Sequence, residues 1–359
     1  FLDWSYFDHP PMVGWLQSIA LFFSSSEFSL RVLPIVLSAT SLFVLFNLAK
    51  KDFGDKAAYI TLLLFISAPI LQILPFGMIP ETPLILAGLL NIWILKRIEA
   101  NEGRKLTDWL LLGLVLGLAG LSKYTGVTLA LSTFIVLLLQ FNTRLFKQAG
   151  LYLAGLIAAI CIIPVLYWNM QNDWISFLYQ LNHSAGKSEY NLASALRMQI
   201  TQLAAFGPLI YVFGLIAIIK LRNNSQARTW LIFALPILIL FSILSAKGRS
   251  LPHWTELGVI FMMPLIAYLI ASNRTSKLLK RLAIGLAIFS LFLTLVVQVL
   301  LTYPKVEFDD YRHPLADLIG WKEVSSRIKD HAEEGDNIFI PNWSHASRVA
   351  WYARPMPVK

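Results

Sequence analysis

Long apolar runs recur along the chain at about 28–48, 57–74, 82–98, 108–121, 124–141, 148–167, 199–220, 229–246, 255–272 and 281–302. A helix that crosses a bilayer needs ~20 apolar residues, within about 17–25. Most of these runs meet that length. Lipid offers backbone N–H and C=O groups no partner, so apolar runs of this length form helices. The run at 108–121 is short, and Ser122-Lys123-Tyr124 divides it from the next. Residues 10–23 are apolar but shorter still, which fits a helix lying in the plane of the interface. From Tyr303 the pattern turns polar. Residues 314–331 read as an amphipathic helix, 337–340 as a strand and 344–352 as a second helix. The predicted architecture is an all-α polytopic membrane domain over 1–302, with about ten membrane helices. A small outward-facing α/β domain begins at 303. No internal repeat or low-complexity tract is present.

Composition agrees with this reading. Of the 359 residues, 57% are hydrophobic and 14% charged, against roughly 45–50% and about 25% in soluble domains. The net charge of +9 sits in short clusters between apolar runs, so it reports membrane topology and not nucleic-acid binding. Most Lys and Arg fall in the loops at 50–56, 96–105, 144–147, 220–228 and 274–281. The opposite set holds only Arg31, Lys123, Lys187, Arg197, Lys247 and Arg249. The richer set is therefore predicted to be cytoplasmic. The N-terminal segment, the loops near 75–82, 122–124, 168–198 and 247–254, and the tail from 303 then face outward. The single cysteine, Cys161, lies in an apolar run and can form no internal disulfide.

The chemistry-bearing residues gather on the outward side. Asp8-His9-Pro10-Pro11 follows Trp4, Tyr6 and Phe7, and the two prolines set an extended or turn backbone ahead of a helix. A carboxylate and an imidazole held there suit metal or phosphate binding or proton exchange, while an aromatic belt with solvated polar groups is the plain reading. Glu81 opens an apolar helix. The helix N-terminus favours an acid there, yet ionisable groups at membrane depth are usually paired or functional. Lys123 either snorkels to the interface or binds an anion such as a lipid phosphate. In the loop from Tyr167 to His183, Trp168 and Trp174 fit an aromatic belt or stacking on a sugar ring. His183 lies near the end of a helix, as a structural or a ligand histidine. Lys247-Gly248-Arg249-Ser250-Leu251-Pro252-His253-Trp254 either clasps a phosphate or attracts anionic headgroups. No phosphate-binding glycine loop, zinc CxxC pair, HExxH or GxSxG elbow occurs.

Tyr6-Phe7-Asp8-His9-Pro10-Pro11, Pro80-Glu81-Thr82-Pro83-Leu84, Leu121-Ser122-Lys123-Tyr124, Trp168-Asn169 with Asn172-Asp173-Trp174, His183 and Leu251-Pro252-His253-Trp254 stand in a recurring order. In that order the chain resembles the glycosyltransferase family 39-like (PMT_2) membrane enzymes of the GT-C fold. Their relatives are the protein O-mannosyltransferases and the aminoarabinose transferase of lipid A. Gly320-Trp321 and 347–352 resemble the family's outward domain. The resemblance implies transfer of a sugar, with inversion, from a polyprenyl (undecaprenyl) phosphate carrier to a lipid, glycan or protein acceptor. It also implies a multi-pass protein of the bacterial inner membrane, with its site facing the periplasm and no nucleotide cofactor.

By the same resemblance, Glu81 and Asp8 are the candidate catalytic acids. Asp8 and His183 are the candidate ligands of a divalent metal. His9, Lys123, Lys247, Arg249 and His253 would meet the carrier phosphate, and Trp168, Asn169 and Asp173 the sugar or acceptor. Glutamate at 81 departs from the family's usual aspartate. The family's principal catalytic acid lies upstream of the Tyr-Phe-Asp-His-Pro-Pro motif, ahead of the residue at which this chain opens. The expectation is therefore a fragment that is inactive alone. A transporter or flippase of lipid-linked sugars is the rival, but it would place polar sites at the midplane and often show paired repeats.

Overall fold

A computed structural model describes residues 2–185, 190–247, 250–273, 275–303, 320–333, 336–356 and 358. By contact the chain divides into two compact units, Phe1–Leu295 and Val296–Lys359.

The first unit is helical. Helix α1 (Met12–Phe23) is the short apolar segment expected from the sequence. Helices α2 (Glu27–Phe53) and α3 (Asp55–Ser67) are followed by two short 3-10 turns and by α4 (Glu81–Ala100). Next come α5 (Leu106–Ser122), α6 (Val127–Phe141) and α7 (Ala149–Gln171). Helix α8 (Ile175–Ala185) is short, and α9 (Leu192–Phe206) leads into α10 (Pro208–Leu221). The remaining helices are α11 (Ser225–Ser245), α12 (Glu256–Ala271) and α13 (Lys277–Thr302).

Every apolar run of the sequence is helical, but not all ten are straight spans. Six helices among the described residues have the length and composition to cross a membrane, or up to eight if each of two bent pairs counts as one span. Helix α3 turns by 82° into the 3-10 segment that opens at Pro69, and α9 meets α10 at 113°. The second bend falls at Gly207, whose φ of 87° is left-handed, followed by Pro208 at the first helical position. Gly permits that φ, and Pro withdraws an N–H that would otherwise continue the helix. Helix α5 is apolar but short. Helix α4 has the length, but carries Glu81 at one end and Lys96 and Arg97 near the other.

Helix α12 is apolar almost all round, as a helix inside a bundle should be; 78% of its spanning window is buried within the protein, against 11% for α13. It packs against α3, α10 and α11. Helices α5 and α7 pack along each other most extensively among the described residues. Gly113 and Gly117 make this possible, because a Cβ on the first would stand 2.5 Å from the Ala154 carbonyl oxygen and one on the second 2.5 Å from the Cys161 Cβ. Close backbone approach at small residues replaces the hydrophobic drive that lipid removes. Elsewhere Asp52 binds Lys96 at 2.8 Å and accepts from the Trp230 indole at 2.7 Å.

In the second unit, α14 (Trp321–His331) and α15 (Trp343–Tyr352) pack together, with the Trp321 and His345 rings 4.8 Å apart. The expected helix at 314–331 is present from Trp321 with Gly320 as its N-cap; residues 314–319 lie outside the described set. The strand expected at 337–340, and with it the α/β domain, is not supported. Among the described residues there is only an isolated bridge, Ile338 to Val358. Pro341 follows the apolar stretch directly and has no N–H with which to extend a ladder.

Candidate functional site

Three chain segments converge on one buried ion pair. Glu81 is the first residue of α4, 2% exposed, in the favourable field of the helix N-terminus. Lys123 caps the C-terminal end of α5 in extended conformation. The turn after it is held by Gly126, whose N–H donates to the Lys123 carbonyl at 2.8 Å, and where a Cβ would stand 2.7 Å from the Ala119 carbonyl oxygen. That close approach folds the chain back so that the Lys123 ammonium reaches the Glu81 carboxylate. His253 lies in the 3-10 turn Pro252–Thr255 ahead of α12, with Nε2 3.7 Å from the same carboxylate oxygen. The rings of Trp254 and Phe241 stand 5.8 and 6.0 Å from the Lys123 nitrogen and 5.4 Å from each other, so the ammonium is walled by aromatic faces.

The N-terminal motif approaches from another direction. His9 Nδ1 lies 2.9 Å from Asp8 Oδ2, both partly exposed. The turn is closed by the Tyr6 N–H donating to the His9 carbonyl at 3.1 Å, and the Trp15 indole donates to the Asp3 carbonyl at 2.9 Å. Gln180 on α8 donates to the Asp8 carbonyl, and the Phe7 and Tyr179 rings meet tilted with centroids 4.2 Å apart. Burial, and then the Asp8 charge, raise the Tyr179 hydroxyl above its ordinary pKa. His9 stands close enough for its charge to act on His253. A small apolar cluster of Met12, Leu121 and Val165, with Tyr124 and Phe177 against it, fastens α1 and α8 to the end of α5 that carries Lys123. The Tyr124 and Ser176 hydroxyls bond across the same junction.

Asp8, His9, Glu81, Lys123 and His253 are thus brought together. The other predicted residues fall elsewhere. Asn169 is fully buried, donates to the Val165 carbonyl at 2.9 Å and accepts the Trp174 N–H on its own carbonyl at 2.8 Å, which is the work of a turn anchor. Asp173 is exposed on that turn with φ 52°, and Trp168 is half-buried. The Lys247 ammonium sits 4.8 Å from the Tyr190 ring. Arg249 and the side chain of His183 lie outside the described residues; the backbone of His183 is near the end of α8, where the sequence put it. Among the described residues no three His, Cys, Asp or Glu side chains are grouped to hold a metal. Asp8, engaged with His9 alone among the ion pairs, is the donor available to one.

Sequence reasoning missed Glu256, 5% exposed, the only charged residue of α12, on which the charges of Glu81 and Lys123 both act. A lone acid inside an apolar run was the available signal. It also missed an apolar cavity of about 290 Å³ between α9, α10, α11 and α12, bordered by Gln202, Gly214, Leu238, Ser242, Val259 and Met262.

This is a polytopic membrane protein whose polar site is assembled from loops and helix ends around a bundle, the arrangement of the GT-C fold. The solved structures agree. ArnT from Cupriavidus metallidurans, bound to undecaprenyl phosphate, superposes with a TM-score of 0.70 over 98% of this chain and 76% of its own, at 15% identity. Its apo form gives a TM-score of 0.64 over 98% and 75%. Residues 8–168 match the PMT_2 family pattern, described as dolichyl-phosphate-mannose-protein mannosyltransferase. The lipid A galacturonosyltransferase RgtD of Rhizobium johnstonii is 24% identical over 260 residues, 70% of this chain and 54% of that protein. The chain spans about half the length of that curated relative. The chain thus shares the fold of ArnT, and its residues 8–168 carry the PMT_2 pattern.

Proposed function

We propose that the protein takes part in moving a sugar from a polyprenyl-phosphate carrier to a lipid acceptor at the periplasmic face of a bacterial inner membrane, with inversion at the anomeric carbon. The observation that carries this reading is the buried Glu81–Lys123 pair with His253 and the Asp8–His9 pair beside it. A leaving lipid phosphate gains charge as the glycosidic bond breaks, and Lys123, His9 and His253 would take it as cations or donors. A carboxylate is needed to accept the proton of the acceptor hydroxyl, and Glu81 and Asp8 are the candidates. Lys123 holds Glu81 until a phosphate competes for the ammonium, which would free the carboxylate when the donor is in place. Lys247 and Arg249, from the loop before His253, are the further phosphate contacts. Trp168 and Asp173 keep the sugar or acceptor role on resemblance alone. The cavity among α9–α12 would take part of the carrier's chain, since it is apolar.

The relatives point the same way. The ArnT structure holds undecaprenyl phosphate, and RgtD is named for lipid A. A divalent cation, if one is used, would be held by Asp8 with His183 and would supply further charge neutralisation at the phosphate. The test is transfer of label from undecaprenyl-phosphate sugar in membranes holding the natural full-length protein. Glu81→Gln and His183→Ala should each abolish labelling of the acceptor while the protein stays folded. Undiminished labelling in both variants would remove these residues from the site.

A further inference from the structure

Glu256 is buried and uncommitted. Its Oε2 has no hydrogen-bond partner among the described residues. It borders a cavity of about 20 Å³ between α2, α4 and α12, whose other polar edges are Ser38, Ser41 and Thr82. That is about the space one water occupies, and a buried water needs two to four polar partners. Ser41 donates its own proton to the Leu37 carbonyl at 2.8 Å and so keeps its lone pairs for an incoming donor. Thr82 follows Glu81 in the first turn of α4. Lys123 is already paired with Glu81, and Glu256 makes no ion pair among the described residues.

We propose that Glu256 is a positioning residue of this site: with Ser41 and Thr82 it holds one water molecule behind the first turn of α4 and so fixes the aim of Glu81 at Lys123. The proposal rests on the reading of that pair as the transfer site. Glu256 serves here through its hydrogen bonds. A buried carboxyl that has no ion-pair partner among the described residues needs hydrogen bonds to offset its burial. The plainer role, an acid favoured at the N-terminus of α12, would need the charge and not the cavity.

The two roles separate on Glu256→Gln and Glu256→Leu in the natural full-length protein. Gln keeps the shape and both hydrogen-bonding functions; Leu keeps the bulk alone. With Leu, kcat for transfer should fall about tenfold or more while the KM for the carrier holds, because a misplaced catalytic group costs rate and not binding. Gln should restore most of that loss. Deuterium exchange over residues 80–88 reads the same turn without any need for transfer, and should quicken with Leu and stay unchanged with Gln. The proposal is overturned if Leu leaves exchange and kcat unchanged, or if Gln behaves like Leu in either. Loss of transfer in Glu81→Gln with none in Glu256→Leu would refute this proposal and leave the site standing. Altered exchange in a protein that transfers nothing would refute the site and leave the positioning contact.

Discussion

Replacing Lys123 by Met should damage the protein more than replacing both members of its ion pair. The Lys123 ammonium binds Glu81, which is 2% exposed, and the only other ion-pair partner of that carboxylate among the described residues is His253 at 3.7 Å. Lys123→Met therefore leaves a buried carboxylate with a poor partner. Stranding one member of a buried pair costs about 3–5 kcal/mol, whereas an exposed pair is worth roughly 0–1 kcal/mol. Lys123→Met with Glu81→Gln removes the stranded charge and should recover about 2 kcal/mol or more, within the range of coupling between contacting residues. The assay is the apparent unfolding midpoint of detergent-solubilised protein, read from tryptophan fluorescence at a single scan rate, because proteins of this kind unfold irreversibly. Trp254, beside Lys123, reports on the site directly. The expected order is wild type, then the double variant, then Lys123→Met lowest. Transfer should be lost in both variants, so regained stability without regained transfer separates a working pair from a structural one. Additive losses, with the double variant lowest, would refute the pairing.

Two more predictions concern the bundle. Gly214 borders the large apolar cavity, and a Cβ there would come no closer than 3.9 Å to Ile266. Gly214→Leu should therefore fold normally, but raise the KM for a long-chain carrier while sparing a short-chain analogue in the same transfer assay. Gly117→Leu should drive a side chain into Cys161 and cost about 1–3 kcal/mol or more by overpacking, seen as a lower unfolding midpoint. Gly155→Ala, where nothing lies within 4 Å of a Cβ, is the control and should change little.

The apolar runs were legible because lipid forces a backbone to satisfy itself, so length and hydropathy alone imply helix. Even the short division at Ser122-Lys123-Tyr124 falls where α5 ends and α6 is prepared. The bends were written in Pro69 and Gly207-Pro208, but an apolar pattern continues through them and hides the break. The strand at 337–340 failed for the opposite reason: its local pattern is adequate, but a strand exists only with a partner, and one bridge is all that the described residues provide. At the site, Asp8, His9, Glu81, Lys123 and His253 were visible singly as polar residues out of place. Their union was not, since Glu81 and Lys123 stand 42 positions apart and no local rule pairs them. Asn169 shows how a motif residue can serve the turn and not the ligand. Glu256 went unnoticed because the Pro252-His253-Trp254 motif just before it drew the functional reading.

The most direct test of the account uses sealed vesicles carrying the natural full-length protein, with radiolabelled undecaprenyl-phosphate sugar on the face bearing Glu81 and a lipid acceptor beside it. The account predicts label on the acceptor, lost in Glu81→Gln and in Lys123→Met. Label that crosses to the opposite leaflet while still attached to its carrier, with none on the acceptor, would contradict it and establish a transporter.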